Sequence, residues 1–286
     1  MSEPLTREAI EQAFVTACHG ELSALKPGNV HIHAAGHGMD IDYFKRAAAA
    51  AAPHIADPAL TIGERILKAT EASFAATGVN TNLGIVLLCA PLAKAAAETD
   101  PTMGLRRRLA ILLGTLTKDD AVKAFGAIRI ANPAGLGSAS EGDVHDTTAD
   151  MTLIEAMYLA KDRDRIANAY VTAYEDVFDF ALPALYEARA VAENDDLATT
   201  ALHMTLLATF ADSHIARKFG TATADMVRNE ARALTQTWHS EGAPNGLKQL
   251  HEFDKNLKVR KLNPGTTADF VVATLFTALL SRRKLP

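Results

Sequence analysis

The sequence has few cysteines, no excess of basic residues and no long hydrophobic run, and each absence excludes a class of protein. Cys18 and Cys89 are the only cysteines in 286 residues, so we expect neither a disulfide framework nor a cysteine-rich zinc cluster. A net charge of −5 argues against a surface that neutralises nucleic-acid phosphates. The longest apolar run, Leu83–Ala93, is shorter than the roughly 20 residues of a membrane-spanning helix. The N-terminus also lacks a signal-peptide core, and we therefore expect a cytoplasmic protein that binds neither nucleic acid nor membrane.

Sustained period-two alternation is missing as well, whereas helical patterns are frequent. Alanine, the best helix former, is abundant. Ile10, Phe14 and Cys18 recur at helical spacing behind Thr6, a candidate N-cap. The sequence predicts an all-α fold, with a single domain of about ten helices over residues 1–286 and polar active-site loops between the helices. Besides the first segment, helices are expected from Thr61 to Gly78, from Leu83 onward, and near 103–116, 118–131, 149–162, 164–191, 195–211, 221–241 and 266–282. Pro183 is expected to kink or break the longest of these helices.

Five polar stretches interrupt this pattern, and loops on a rigid scaffold are where function usually lies. They are Lys26–Asp40, Gly78–Gly84, Asn132–Asp146, Asp212–Gly220 and Asn263–Asp269.

The first polar stretch combines a cation, a turn and three histidines. Lys26 provides a point charge suited to phosphate, and the following Pro-Gly pair forms a tight turn. His31 and His33 point to one side of an extended segment, and His37 follows. The histidines are either solvated imidazoles on a surface loop or acid–base groups, and no zinc-binding pattern accompanies them.

Two stretches stand at the start of apolar helices. Asn80, Thr81 or Asn82 can cap the helix that follows, and these amide and hydroxyl groups can also contact a ribose or base. Thr266 or Thr267 is expected to be the N-cap of the last helix. A helix N-terminus is also an anion-binding site, so both interpretations stay open.

The remaining stretches combine acidic and basic groups. Asp143 and Asp146 can bind Mg²⁺ beside a triphosphate, or they can be solvated caps. If Asp212 continues the preceding helix, it stands near Arg217 and Lys218, which bind phosphate or only complement the helix dipole.

Taken in order, these stretches resemble the triphosphoribosyl-dephospho-CoA synthases, which make the prosthetic-group precursor of citrate lyase and malonate decarboxylase. The resemblance extends over nearly the whole chain. The matching positions are Glu21 with Lys26–Val30, His37 with Asp40, Asn80–Gly84, Asp212-Ser213 with Lys218 and Gly220, and Pro264–Asp269.

The resemblance implies an all-helical transferase that uses ATP with Mg²⁺, transfers its triphosphoribosyl group to 3′-dephospho-CoA or a related acceptor, and releases adenine. A homodimer remains open. The implied catalytic residues are His37, His31, Asp40 and Asp212. The implied nucleotide- and phosphate-binding residues are Lys26, Gly28, Asn29, Asn80, Thr81, Asn82, Ser213, Arg217, Lys218, Gly265 and Thr266. The implied metal ligands are Asp143, Asp146 and Asp212.

The sequence departs from the family pattern at three places. Asn82 and Leu83 replace a His-Lys pair, the carboxylate of Asp40 follows Met39 instead of preceding it, and Thr266 replaces a glycine. These changes are similar to a divergent branch found in archaea and methylotrophic bacteria. They leave two alternatives, a role in one-carbon cofactor synthesis of the methanopterin or methanofuran type, and a helical nucleotide-binding protein without turnover.

Overall fold

The fold is all-α, as the sequence predicts. The computed structural model describes residues 5–32, 41–98, 103–133, 150–241 and 243–281, with the side chains of 236–245 left aside. These parts contain no β-strand. The helices are α1 (Arg7–Ser23), α2 (Ile41–Ala56), α3 (Ile62–Thr77), α4 (Leu83–Ala97), α5 (Leu105–Leu113), α6 (Lys118–Ala131), α7 (Leu153–Ala160), α8 (Arg165–Val171), α9 (Leu182–Val191), α10 (Asp195–Thr209), α11 (Ser213–Phe219), α12 (Thr221–Glu241), α13 (Ala243–Val259) and α14 (Gly265–Leu280), and a π-helical segment spans Asp176–Ala181.

Two apolar clusters form the interior of the described parts. The larger one lies among α1–α10 and α14, and the smaller one joins α10–α13. Helix α14 packs against α1, α4, α10 and α11, and its apolar residues are almost all buried. This helix therefore occupies the centre of the fold, and its N-terminal end is surrounded by other helices. No helix in the described parts is long and apolar enough to cross a membrane.

Several helix ends follow the local sequence rules. The Thr6 hydroxyl accepts a hydrogen bond from the Ala9 N–H, which confirms the predicted N-cap. Gly78 ends α3 with a φ of 73°, a left-handed conformation that glycine adopts without steric penalty.

The prediction of one continuous helix over 164–191 is wrong. This stretch is divided between α8, the π-helical segment and α9, because Ala173 and Tyr174 take positive φ angles of 48° and 59°. Pro183 is not the breaking point, since it lies in the first turn of α9, where a missing N–H is tolerated.

Two other predictions need correction. Asp212 does not continue the preceding helix, because α10 ends at Thr209 and Asp212 is the N-cap of the separate helix α11. Neither Thr266 nor Thr267 is the N-cap of α14, which already begins at Gly265. The structure also adds α2 and α13 to the expected helices.

Two tyrosines donate hydrogen bonds to α4 near its proline, and one of them compensates for the missing N–H. Pro91 has no N–H for the Leu87 carbonyl one turn earlier. The Tyr170 hydroxyl donates to this carbonyl at 2.7 Å, and the Tyr174 hydroxyl donates to the next one, that of Leu88, at 3.0 Å. The segment around the break after α8 thereby supports a deeply buried helix of the larger cluster.

Candidate active site

A cluster of carboxyl groups lies where the N-terminal end of α14 meets the first turn of α4, and we call this cluster the acidic recess. Its central group is Asp269, the only charged residue of α14. Asp269 is partly accessible, and none of the described residues donates a hydrogen bond to its carboxylate. The carboxylate lies against Gly84, where a Cβ atom would stand only 2.0 Å from Oδ2. A partly accessible carboxylate without a hydrogen-bond donor among the described residues is available for chemistry.

The surroundings of Asp269 favour its protonated form. Burial raises the pKa of Asp269 well above its usual value, and the negative charges of Asp212, Glu21 and Asp164 raise it further. Only the positive charge of Arg217 opposes this shift in the pKa. A carboxyl group with a raised pKa can both donate and accept a proton during a reaction.

Asp212 joins two helices and uses both carboxylate oxygens to do so. Oδ1 accepts from the Ile215 N–H at 3.0 Å and caps α11. Oδ2 accepts from the Thr267 N–H at 2.7 Å and the Thr267 hydroxyl at 2.8 Å, at the N-terminus of α14. Burial raises the pKa of Asp212, although these hydrogen bonds act to lower it. The anion at the N-terminus of α14 is thus a side chain of the protein itself.

Lys26 and Glu21 form a buried ion pair beside the recess. Lys26 Nζ lies 2.5 Å from Glu21 Oε1, and it also donates to the Val30 carbonyl and to Asn29 Oδ1. Burial raises the pKa of Glu21 and lowers that of Lys26. An ammonium group has three donors, and all three of Lys26 have partners inside the protein. Lys26, which the sequence predicts to bind phosphate, therefore forms a buried ion pair with Glu21.

Asp254 of α13 fastens the loop that follows Lys26. Its Oδ1 accepts from the Gly28 N–H at 2.9 Å, and its Oδ2 lies 3.4 Å from His31 Nε2 and 2.9 Å from Lys258 Nζ. Asn29 is tied to the same region by a 2.9 Å bond from its amide to Asn263 Oδ1. Burial and the positive charge of Lys258 lower the pKa of His31, and the hydrogen bond to Asp254 only partly offsets this shift. Of the predicted site residues in this loop, Gly28, Asn29 and His31 all serve to hold its shape.

The polar residues before α4 divide into two groups. Asn80 Oδ1 accepts from the Leu83 N–H at 3.3 Å, and the Asn82 amide donates to the Ser73 hydroxyl at 3.0 Å. Asn80 therefore caps α4 with its side chain, whereas the Asn82 side chain makes no capping hydrogen bond and ties the start of α4 to α3. The Thr81 hydroxyl is buried and has no hydrogen-bond partner in the structure, so it remains the candidate for a ligand contact.

The cations of α11 are placed differently. Arg217 is partly exposed and lies 3.4 Å from Asp164, on the side of the recess. Lys218 is exposed on the outer surface. The Ser213 hydroxyl accepts from the Arg165 N–H at 3.0 Å and ties α8 to α11.

Two further predicted residues lie at the start of α14. A Cβ at Gly265 would stand 2.7 Å from His214 Nδ1, so this glycine permits the close approach of His214. Thr266 is buried and lines a small cavity with Arg165 and Phe210.

Four predicted residues, His37, Asp40, Asp143 and Asp146, lie outside the described parts of the chain. Within those parts, no group of three acidic, histidine or cysteine side chains could hold a metal ion.

Comparison with known proteins places this arrangement in a family. The sequence model of the CitG family, described as ATP:dephospho-CoA triphosphoribosyl transferase, matches residues 7–285. The chain belongs to this family. A solved structure from Archaeoglobus fulgidus, described provisionally as a triphosphoribosyl-dephospho-CoA synthase, shares the fold with a TM-score of 0.63 and 22% sequence identity, over 82% of this chain and 98% of that one. No curated protein matches the chain. The resemblance drawn from the sequence is thereby confirmed.

The blocks that identify the chain as a CitG-family transferase converge in space. Three contacts join them: Gly84 with Asp269, Asp212 with Thr267, and Gly28 with Pro264. Blocks separated by up to about 240 residues thus surround the N-terminus of α14. This convergence explains why single motifs are weak signals and their combination is specific.

Sequence reasoning missed three groups in and around this transferase site. Asp269 was matched to the family pattern but was not predicted as a site residue, although a lone charge on an apolar helix is a usable signal. Asp254 was missed because its helix was not predicted. The third missed group, His203, is fully buried on α10, and burial lowers its pKa to about 3, so its imidazole is neutral and structural.

Proposed function

We propose that this CitG-family transferase moves the triphosphoribosyl group of ATP to dephospho-CoA, with Asp269 as the acid–base group. The observation that carries the proposal is the accessible, unpartnered carboxylate of Asp269 among three other carboxyl groups. Family membership supports the substrates, and the recess supports the residue. The cytoplasm is the expected location, because both cysteines are free and buried and a reducing compartment suits them.

The reaction needs one proton to be given and one to be taken. The oxygen of the acceptor's 2′-hydroxyl forms a bond to C1′ of the ATP ribose, and the bond from C1′ to adenine breaks. Adenine leaves with the bonding electron pair and takes a proton from Asp269. The 2′-hydroxyl then gives its proton to Asp269, which restores the starting state. The raised pKa of Asp269, caused first by burial and then by Asp212 and Glu21, suits this cycle.

Displacement at C1′ passes through a positively charged, oxocarbenium-like centre. The carboxylates around the recess favour such a centre by their negative charge. The deprotonated form of Asp269 and the neighbouring Glu21 and Asp164 are the groups that act in this way.

The triphosphate requires cations. Arg217 is a described cation whose charge acts on Asp269, whereas Lys218 is exposed. Mg²⁺ bound to a nucleotide keeps several waters and needs only one or two carboxylates besides the phosphates. Asp212 fits poorly as that ligand because both of its oxygens accept hydrogen bonds, so Asp143 and Asp146 remain the proposed ligands. His37 and Asp40 remain proposed acid–base groups beside Asp269.

Adenine release tests the proposal directly. The full chain is incubated with ATP, Mg²⁺ and dephospho-CoA, adenine is measured by liquid chromatography, and the product is weighed by mass spectrometry. We expect one adenine per triphosphoribosyl product, and a fall in kcat of about 10²- to 10⁴-fold in Asp269→Asn, the range of general acid–base catalysis.

The matched control is Asp119→Asn, which changes an exposed carboxylate on α6 and is expected to leave kcat unchanged. Absence of adenine with the wild-type chain would refute the reaction. Wild-type kcat in Asp269→Asn would refute the assigned residue.

A further inference from the structure

The carboxylate of Asp269 occupies the space of a missing side chain. A Cβ built on Gly84 would lie 2.0 Å from Asp269 Oδ2, 2.5 Å from Cγ and 3.0 Å from Oδ1. Side-chain atoms do not approach so closely, so the carboxylate can hold this position only while residue 84 has no side chain. We call this arrangement the Gly84 seat.

Backbone conformation does not account for the glycine. Gly84 is the second residue of α4 and has no positive φ angle, so other residues could adopt its backbone conformation. Glycine also weakens a helix relative to alanine. Gly126 within α6 provides a comparison, because a Cβ there would meet its nearest side-chain atom, Leu67 Cδ1, at an ordinary 3.4 Å. Among these two helical glycines, only Gly84 is required by a neighbouring carboxylate.

The seat fixes the carboxylate against repulsion. Asp212, Glu21 and Asp164 all repel a charged Asp269, and they come from the start of α11, the end of α1 and the start of α8. Without a fixed position, Asp269 would rotate away from them. The first turn of α4 opposes this rotation, because the N-terminal end of a helix carries a partial positive charge that attracts a carboxylate.

We propose that Gly84 is a positioning residue, whose lack of a side chain holds the Asp269 carboxylate at the reacting centre. This inference rests on the proposed function, since it gives the seat a catalytic purpose. It also assigns a physical reason to the glycine that ends the Asn80–Gly84 block.

The test is Gly84→Ala measured in two backgrounds. In the wild-type background the added methyl group must displace the carboxylate, so we expect kcat for adenine release to fall about 100-fold, as for a misplacement of about 1 Å. The KM for ATP should change by less than about threefold, and the melting temperature should not fall, because alanine favours the helix. In the Asp269→Asn background the same substitution should change kcat by less than about threefold, since Gly84 acts only through the displaced group.

Gly126→Ala is the matched control and should leave kcat and KM unchanged. A wild-type kcat in Gly84→Ala would overturn the seat. An equal loss in both backgrounds would also overturn it, because Gly84 would then act independently of Asp269. A wild-type chain that releases no adenine would instead overturn the proposed function, and with it the catalytic purpose of the seat.

Discussion

Replacing Tyr170 by phenylalanine tests how the fold tolerates a proline inside the buried helix α4. The Tyr170 hydroxyl donates at 2.7 Å to the Leu87 carbonyl, which lies one turn before Pro91 and has lost its helical donor. Burial raises the pKa of Tyr170, so the hydroxyl stays a protonated donor across the pH range of an unfolding experiment. Tyr170→Phe therefore leaves a buried carbonyl without a partner. We expect the free energy of unfolding to fall by about 1–3 kcal/mol, the usual cost of such a group.

The Pro91→Ala background decides whether this reasoning is right. Alanine at position 91 supplies an N–H that can donate to the Leu87 carbonyl, so the Tyr170 hydroxyl becomes redundant. Tyr170→Phe should then cost less than about 0.5 kcal/mol, which gives a coupling energy of about 1–2 kcal/mol between the two positions. Tyr174→Phe is the comparison, because its acceptor, the Leu88 carbonyl, faces Leu92, which has an N–H. Its cost should depend little on residue 91.

Urea unfolding of the wild type, the three single variants and the two double variants, followed by circular dichroism at the helical band, measures these free energies. The slope of free energy against urea concentration must stay constant for the comparison to hold. Equal costs of Tyr170→Phe in the proline and alanine backgrounds would refute the compensation.

Two further predictions concern the loop after Lys26. Gly28→Ala should lower the free energy of unfolding by more than about 2 kcal/mol, because Gly28 combines a φ of 83° with a Cβ position 2.8 Å from a proline Cδ. Gly78→Ala should cost only about 1 kcal/mol, because Gly78 has a φ of 73° but no atom within 4 Å of its Cβ position. Equal costs of the two substitutions in urea unfolding would contradict the role of crowding at Gly28. For Asp254, burial would raise the pKa, but hydrogen bonds from His31, Lys258 and the Gly28 N–H outweigh it and lower the pKa below its usual 3.8. A carboxylate whose pKa is lowered in the folded state contributes stability that is present above its unfolded pKa and is lost as the pH falls through the folded value. Asp254→Asn should therefore reduce stability at pH 7 and flatten its decline below about pH 4, and unfolding curves that stay parallel to wild type from pH 7 to pH 3 would speak against this assignment.

The fold class follows from local sequence. Helix propensity and periodicity act over a few residues, so the ends of α6 and α12 are predicted at the residues where the structure has them. Local rules also place the cap at Thr6 and the stop at Gly78. They failed at Ala173 and Tyr174, because the positive φ angles there are held by burial and by hydrogen bonds to α4, which lies about 85 residues earlier.

The roles of the polar residues depended on tertiary structure. The sequence shows Lys26 as a free cation and Asp212 as a metal ligand, but a residue type does not show which partners reach it. Packing gives Lys26 the buried partner Glu21 and gives Asp212 two helix N-termini. The family could be predicted from the order of the motifs, because that order is present in the sequence and does not depend on three-dimensional contacts.

Asp269 shows, in one residue, the difference between what the sequence predicts and what the tertiary structure decides. Its sequence context, a single carboxylate on an apolar helix, marks it as unusual. Only the packing of α4 against α14 brings Gly84 beneath it and leaves it accessible without a partner. Local sequence therefore determined the fold class, most of the helices and the family of this protein. The assignment of partners to its charges required the tertiary structure, because burial and contact are set by residues far away in the chain.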